Sequence, residues 1–282
     1  MEMLKKLGND EFKHIREYIY EKSGLYFDDT KKDYLEKRLF VRMNQLKVQS
    51  FIEYYYMLKV DKNGEFNKLA ELITTNETYF FRNIPQLNTF SYHMLPELLT
   101  RKANSGDFRL KIWSAGCSSG EEPYTIAIIL KERLEYIEDW DIDIYGTDIS
   151  LRVLELARVG EYFPRSLMDT GEDIKKKYFR HDALKNMYTI NQDIKDMVRL
   201  KHLNLFDSHQ MAFFRNIDVI FCRNVLIYFD EDSRKSVVER FYDALMPGGY
   251  IILGHSESML RITRAFEMLR MGDDIAYRKP LK

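Results

Sequence analysis

The run Ser114-Ala115-Gly116-Cys117-Ser118-Ser119-Gly120-Glu121-Glu122-Pro123 is where chemistry first shows in this chain. Its small residues let a ligand come close to the backbone where a strand turns into a helix. Only Gly116 and Gly120 are glycines, so this is no dinucleotide GxGxxG, and with no Gly-Lys-Ser/Thr following it is no P-loop. Glu121 and Glu122 would open the helix, where they suit its dipole. They would repel a pyrophosphate but tolerate a cationic sulfonium or amino group. The plain alternative is a tight turn whose glycines only permit packing. Asp148 ends the next apolar run, IDIYGTD, 28 residues beyond Gly120. A carboxylate there in a nucleotide-binding fold accepts hydrogen bonds from ribose hydroxyls; alternatively, it serves the helix that begins after Ser150.

Three further clusters could complete a site. Asn204 in HLNLF and the run Cys222-Arg223-Asn224-Val225-Leu226-Ile227-Tyr228-Phe229 each follow a strand, on the side where doubly wound sheets hold ligands. Asn204 reads equally as a turn residue. In TNETYFFR, Arg82 offers a planar cation able to hold a carboxylate by two hydrogen bonds, whereas Asn76 and Thr78 also suit helix caps and Phe80 and Phe81 suit core anchors.

These residues need a scaffold. Phe12, Ile15 and Ile19, then Leu35, Leu39, Met43 and Leu46, recur at helical spacing, which predicts an all-helical domain over residues 1–75. Gly24 ends its first helix, and Asp28, Asp29 and Thr30 offer caps for its second. Residues 76–105 connect it onward and begin the site, with the linker expected between Pro85 and Gly106. From Arg109 the strands LKIWSAG, IDIYGTD, VRLKHLNLF, IDVIFCRN and YIILGHSE alternate with helices over 126–134, from Leu151, and over 232–245, with MPGG turning the chain into the last strand. Such alternation predicts an α/β domain with a parallel sheet over residues 106–282. Around 160–200 a short hairpin at KNMYTINQD is expected on the sheet's margin.

Composition narrows the class. Of the 282 residues, 43 are Lys or Arg and 44 are Asp or Glu, a net charge of −1 that gives no general attraction to nucleic acid or anionic membrane. No apolar run of the length a membrane span needs is present, and the N-terminus breaks too early for a signal-peptide core. A cytoplasmic protein is expected. Cys117 and Cys222, the only cysteines, form no CxxC and read as free thiols.

Taken together and in order, TNETYFFR, WSAGCSSGEEPYTIA, YGTDIS, HLNLF, FCRNVLIYFD and MPGGYIILGHSE resemble the chemoreceptor glutamate methyltransferase family, CheR, over essentially the whole chain. The resemblance implies a small helical domain followed by a Rossmann-like methyltransferase domain with a small β-subdomain. It implies S-adenosylmethionine, with no metal, held by Asn76, Thr78, Arg82, Glu122, Asp148, Asn204, Leu205, Arg223 and Asn224. Arg82 and Tyr228 are the expected catalytic pair, orienting a glutamate carboxylate. The implied partners are the cytoplasmic methylation helices of chemoreceptors, so the protein is expected to be recruited to membrane receptor arrays without inserting in the bilayer. Some family members tether a receptor's C-terminal peptide through a glycine-containing loop. HDALKNMYTIN has no glycine, so tethering is not expected here.

The helical domain is the expected docking element. Between Lys31 and Lys47 six basic residues face two acidic ones, and Lys31, Arg38 and Arg42 share a helix face; a merely solvated basic face is the alternative. Competing functions are methylation of RNA or a small molecule, which near-neutral charge disfavours for RNA, a cofactor-binding adaptor, and a nicotinamide oxidoreductase, for which the glycine pattern is wrong.

Overall fold

A computed structural model describes residues 6–61, 64–272 and 274–281. The amphipathic spacing near the N-terminus folds as α1 (Asn9–Ser23), α2 (Lys32–Leu46), α3 (Phe51–Val60) and α4 (Glu65–Ile73). Phe12, Ile15, Ile19, Leu35, Leu39 and Met43 are all buried in one core. Gly24 ends α1 with φ 70°. A side chain there would be doubly excluded, because a Cβ would also lie 2.6 Å from the Phe206 ring. Asp28 accepts from the Thr30 N–H at 2.9 Å and caps a single 3₁₀ turn leading into α2.

One expectation for this domain changes. Arg42 is not an open docking cation: its Nε and Nη2 grip Glu65 at 2.8 and 2.7 Å, and the Tyr54 hydroxyl donates to the same carboxylate at 2.8 Å. Tyr54 is fully buried and its phenol is pushed far up by that burial. Lys31 and Arg38 are exposed, Arg38 lying 5.2 Å over the Tyr34 ring. Arg42→Ala should therefore cost about 2 kcal/mol of stability, because the largely buried Glu65 carboxylate loses its counter-charge and two of its donors and keeps only the Tyr54 hydroxyl, whereas Arg38→Ala should stay within about 0.5 kcal/mol of the parent. Urea denaturation of the two variants checks this, and equal midpoints would refute it.

The expected linker is also different. Residues 84–104 form α5 (Ile84–Thr89), a π turn (Phe90–Met94) and α6 (Leu95–Asn104), with Leu87, Phe90, Met94, Leu95 and Leu98 buried against the sheet. Pro85 stands at a helix start, where the missing N–H is no loss, and Pro96 follows the π turn, whose i→i−5 bond from the Leu95 N–H to the Phe90 carbonyl lets the helical run continue through a residue with no N–H.

The α/β domain runs β1 (Arg109–Ala115), α7 (Glu121–Arg133), β2 (Asp141–Asp148), α8 (Leu151–Val159), β3 (Glu161–Tyr162), α9 (Glu172–Tyr178), β4 (Phe179–Asp182), β5 (Met187–Ile190), α10 (Gln192–Lys195), β6 (Val198–His202), α11 (Ser208–Met211), β7 (Ile217–Cys222), α12 (Glu231–Ala244), β8 (Leu245–Leu253), β9 (Glu267–Met271) and β10 (Asp274–Arg278). Seven strands form one sheet in the order β6-β2-β1-β7-β8-β10-β9, parallel from β6 to β8 and antiparallel beyond. Strand order therefore reverses between β1 and β7, the switch point where ligands bind. The fold is the expected Rossmann-like one.

Three local features depart from the sequence reading. MPGG is not a turn before the last parallel strand; it lies inside β8, which bulges between its pairings at Leu245 and Tyr250. The hairpin expected around KNMYTINQD forms, with β5 inside that run paired to β4, but together with β3 it builds a separate three-stranded sheet rather than a margin of the main one. The antiparallel pair β9–β10 closes the sheet beyond the last strand read from sequence. Both thiols are free and buried. Among the described residues, no helix is long and apolar enough to cross a membrane.

Candidate active site

Strands β1, β2, β6 and β7 all end at one cavity of about 220 Å³, roofed by the end of α1 and by residues 74–82. Asn76, Thr78, Arg82, Glu122, Asp148, Asn204, Leu205, Arg223, Asn224 and Tyr228 all line it. Residues from five separate sequence motifs thus meet at one place: parallel strands deliver four of them, as βα turns, to the same edge of the sheet, and the TNETYFFR segment lies over that edge.

The glycine turn and Asp148 are locked together. Asp148 Oδ2 accepts from the Ser118 N–H at 2.8 Å and Oδ1 from the Ser150 N–H at 2.9 Å. Burial raises the Asp148 carboxyl above its ordinary value, and these two amide donors pull the other way. The cap and ligand readings of Asp148 are therefore compatible: a carboxylate has about four lone-pair sites, and two remain. Ser118 occupies a left-handed φ of 50° where a glycine would be unstrained. The hydrogen bonds from its N–H to Asp148 and from its hydroxyl to the Asn76 carbonyl at 3.2 Å compensate. Gly116 (φ 82°) has no room for a side chain, since a Cβ would sit 2.4 Å from Val225 Cγ2.

Charge inside the cavity is arranged around Glu122. Its Oε1 accepts from Ser114 Oγ at 2.6 Å, and its Oε2 lies 3.5 Å from Arg223 Nε. Arg223 is buried, which lowers its pKa, with Glu122 opposing that shift. Its Nη2 donates to the Arg82 carbonyl at 2.6 Å, while among the described residues Nε has no hydrogen-bond partner. Glu121, beside Glu122, turns inward instead; it is buried and accepts from Ser119 Oγ at 2.8 Å, and burial raises its carboxyl. The available donors and acceptors fit a ligand carrying a vicinal diol, a cationic group and a carboxylate: Asp148 with two free lone pairs, Glu122 with a free edge, and a buried guanidinium with an unused N–H.

The TNETYFFR segment holds Arg82 by its neighbours. The Phe80 ring is fully buried, edge-on to Tyr162 and Phe179 at 4.8 and 4.9 Å, and the Phe80 N–H donates to the Ser166 carbonyl at 2.8 Å. Phe81 and Asn83 have φ of 56° and 64°, so Arg82 sits between two left-handed residues. Its guanidinium donates to the Glu77 carbonyl at 2.9 Å and lies 5.6 Å over the Tyr79 ring. The Tyr228 hydroxyl reaches the Thr75 carbonyl at 3.5 Å; burial pushes its phenol up, with the Arg82 charge opposing.

Asn204 lines the cavity and also serves the turn of its plainer reading. Its Oδ1 accepts from the Phe206 N–H at 3.0 Å and its Nδ2 donates to the Lys22 carbonyl at 2.6 Å, tying the sheet's edge to the end of α1. The sequence reading missed Ser23 and Leu25, which line the cavity from the helical domain. Leu25 bridges to Phe229 as an isolated β pair, and the Tyr26 N–H donates to the Tyr228 carbonyl at 2.9 Å. No local signal marks them, since their role comes from how the helical domain sits on the sheet.

Residues 76–274 match the family described as CheR methyltransferase, SAM binding domain, and residues 10–74 match CheR methyltransferase, all-alpha domain. The chain is 38% identical over 277 residues to a Vibrio cholerae protein named chemotaxis protein methyltransferase 2, covering 98% of this chain and 95% of that one. It is 36% identical over 255 residues to the chemotaxis protein methyltransferase of Borreliella burgdorferi, covering 90% and 89%. A Salmonella typhimurium protein of the same name is 31% identical over 266 residues, covering 93% and 88%. The matches run through both domains and every motif that meets at the cleft, and on that ground the chain belongs to the CheR family and is an S-adenosylmethionine-dependent methyltransferase.

Proposed function

We propose that the protein methyl-esterifies glutamate side chains on the cytoplasmic methylation helices of chemoreceptors, in the service of chemotactic adaptation. The observation that carries this reading is the convergence of Arg82 and Tyr228 on a cleft that also holds Asp148, Glu122 and Arg223. The names of the relatives, chemotaxis protein methyltransferases, point the same way. S-adenosylmethionine, when bound, supplies an electrophilic methyl group whose bond to sulfur breaks with its electron pair leaving on sulfur, so a carboxylate oxygen can take the methyl without losing a proton.

The rest is done by the chain. A glutamate carboxylate is ionised at neutral pH, its ordinary pKa being about 4.3, and needs no general base; the absence of a catalytic His or Cys from the proposed roles follows. Asp148 accepts the ribose hydroxyls, Glu122 faces the positive end of the donor, and Arg223 and Arg82 meet carboxylates. Arg82 is held by Glu77 and Tyr79, and with Tyr228 it orients the acceptor oxygen while leaving its lone pair free. Opposite charges merge in the transition state, so a dry, preorganised cleft favours it over hydrated reactants, and positioning carries most of the rate.

Docking falls to Lys31 and Arg38 on the helical domain, which offer exposed cations to a glutamate-rich helix. Charge reversal at both should weaken receptor methylation and leave cofactor affinity unchanged. Peptide tethering is outside this reading: only residues 183–186 separate β4 from β5, and Asn186 takes the left-handed position of that short turn. The protein works in the cytoplasm, brought to receptor arrays by its substrate.

The test is incubation with methyl-labelled S-adenosylmethionine and a chemoreceptor signalling fragment, then alkali to release methanol. Alkali-labile label that disappears when the receptor's methylatable glutamates become alanine is the expected result. Cofactor binding with no such label would assign another acceptor.

A further inference from the structure

Glu257 lies outside the cleft, yet its side chain is tied into the loop that shapes it. Beyond β8, the chain turns through Gly254-His255-Ser256-Glu257, closed by the Glu257 N–H to the Gly254 carbonyl at 2.9 Å. The carboxylate then folds back. Its Oε2 accepts from the backbone N–H of Gly254 at 2.7 Å and of Asn224 at 2.8 Å, and its Oε1 from those of Val225 at 3.0 Å and Ile227 at 3.2 Å. All of a carboxylate's roughly four lone-pair sites are thus used on backbone donors, three of them in the segment 224–227.

That segment cannot satisfy those donors itself. Strand β7 ends at Cys222, Asn224 turns the chain at φ 60°, and the 3₁₀ turn Leu226–Tyr228 is too short to pair its own first N–H groups. Space is matched as closely as charge, since a Cβ on Gly254 would lie 2.7 Å from Glu257 Oε2 and 2.8 Å from the Asn224 nitrogen. The same segment carries Tyr228 into the cleft and presses Val225 against Gly116.

We propose that Glu257 is a positioning residue for methyl transfer: its carboxylate gathers the four N–H groups and holds the 224–227 loop in the conformation that presents Tyr228 to the acceptor. This rests on the reading of Tyr228 given above. Glu257→Gln is the direct probe, because it keeps the shape but turns an NH₂ group toward N–H donors. Glu257→Asp keeps the charge on a shorter arm.

The experiment is a double-mutant cycle in the full chain, comparing the parent, Tyr228→Phe, Glu257→Gln and the double variant in single-turnover transfer at saturating cofactor. Melting temperature and cofactor affinity are measured alongside. Glu257→Gln is expected to slow transfer about thirtyfold, Tyr228→Phe to add less than about threefold in that background, and Glu257→Asp to recover part of the rate. If the two single effects multiply, or Glu257→Gln transfers at the parent's rate, the inference is overturned while the role of Tyr228 stands. A silent Tyr228→Phe in the parent background would instead overturn that role, and this inference with it. Should Glu257→Gln fail to fold, Glu257→Asp takes its place in the same cycle and is judged by the same two outcomes.

Discussion

Replacing Arg82 with alanine is expected to lower methyl transfer at saturating cofactor by about 100-fold or more, the usual consequence of removing one preorganised charge-orienting donor. The guanidinium reaches the cleft from a backbone pinned on both sides, by the buried Phe80 ring and by the left-handed Phe81 and Asn83. Its own partners are a neutral carbonyl and an aromatic face rather than a carboxylate, so its charge is available to an acceptor. Arg82→Lys keeps the charge but loses the planar fork, and should recover only part of the rate. The Arg82 carbonyl also accepts from Arg223, but either substitution preserves that backbone contact, so the effect isolates the side chain. Single-turnover transfer to a receptor fragment is the measurement; a rate within about twofold of the parent would exclude Arg82 from the reaction.

The second large effect is expected at Asp148, and it should appear in binding instead of rate. Asp148→Ala removes the acceptor proposed for the ribose and leaves the Ser118 and Ser150 N–H groups unpaired in a buried place. Affinity for S-adenosylmethionine should fall about 100-fold or more. Asp148→Asn should not rescue it, because its amide must turn an NH₂ toward one of the same two donors. A pH dependence follows. Burial holds the free carboxyl above its ordinary value, and ribose hydroxyls donating to the ionised form would draw it down. A ligand that prefers the ionised form binds more tightly as pH rises through the free protein's pKa. Affinity should therefore climb across the acid range and level off above it. Calorimetry over that range is decisive: a pH-independent affinity, or an Asp148→Asn variant that binds normally, would remove Asp148 from the cofactor site.

The basic helix illustrates how a sequence pattern can overstate a surface. Arg38 and Arg42 share a face, yet one is exposed and the other is spent on Glu65. Reversing both charges together would confuse docking with folding, which is why Lys31 and Arg38 are the proper pair to test.

What was legible in the amino-acid order was whatever is written in neighbouring residues. Helical spacing placed Ile15, Leu39 and their neighbours in the core, Gly24 stopped α1, and the runs ending at Ala115 and Asp148 became adjacent parallel strands. The small-residue turn and the carboxylate after the next strand were recognisable because each is a strand–turn–helix unit complete within about ten residues. The helical run over 84–104 was hidden by Pro85, which opens a helix as readily as it ends one, and by Pro96, which a π turn accommodates inside the run. The remaining contacts join residues far apart in the chain: Arg42 with Glu65 at 23 positions, Glu257 with Asn224 at 33, Asn204 with the Lys22 carbonyl at 182. No period or local propensity encodes such pairs. They exist because a buried donor or acceptor must find a partner, and which partner is within reach is settled only when the helical domain and the sheet have packed.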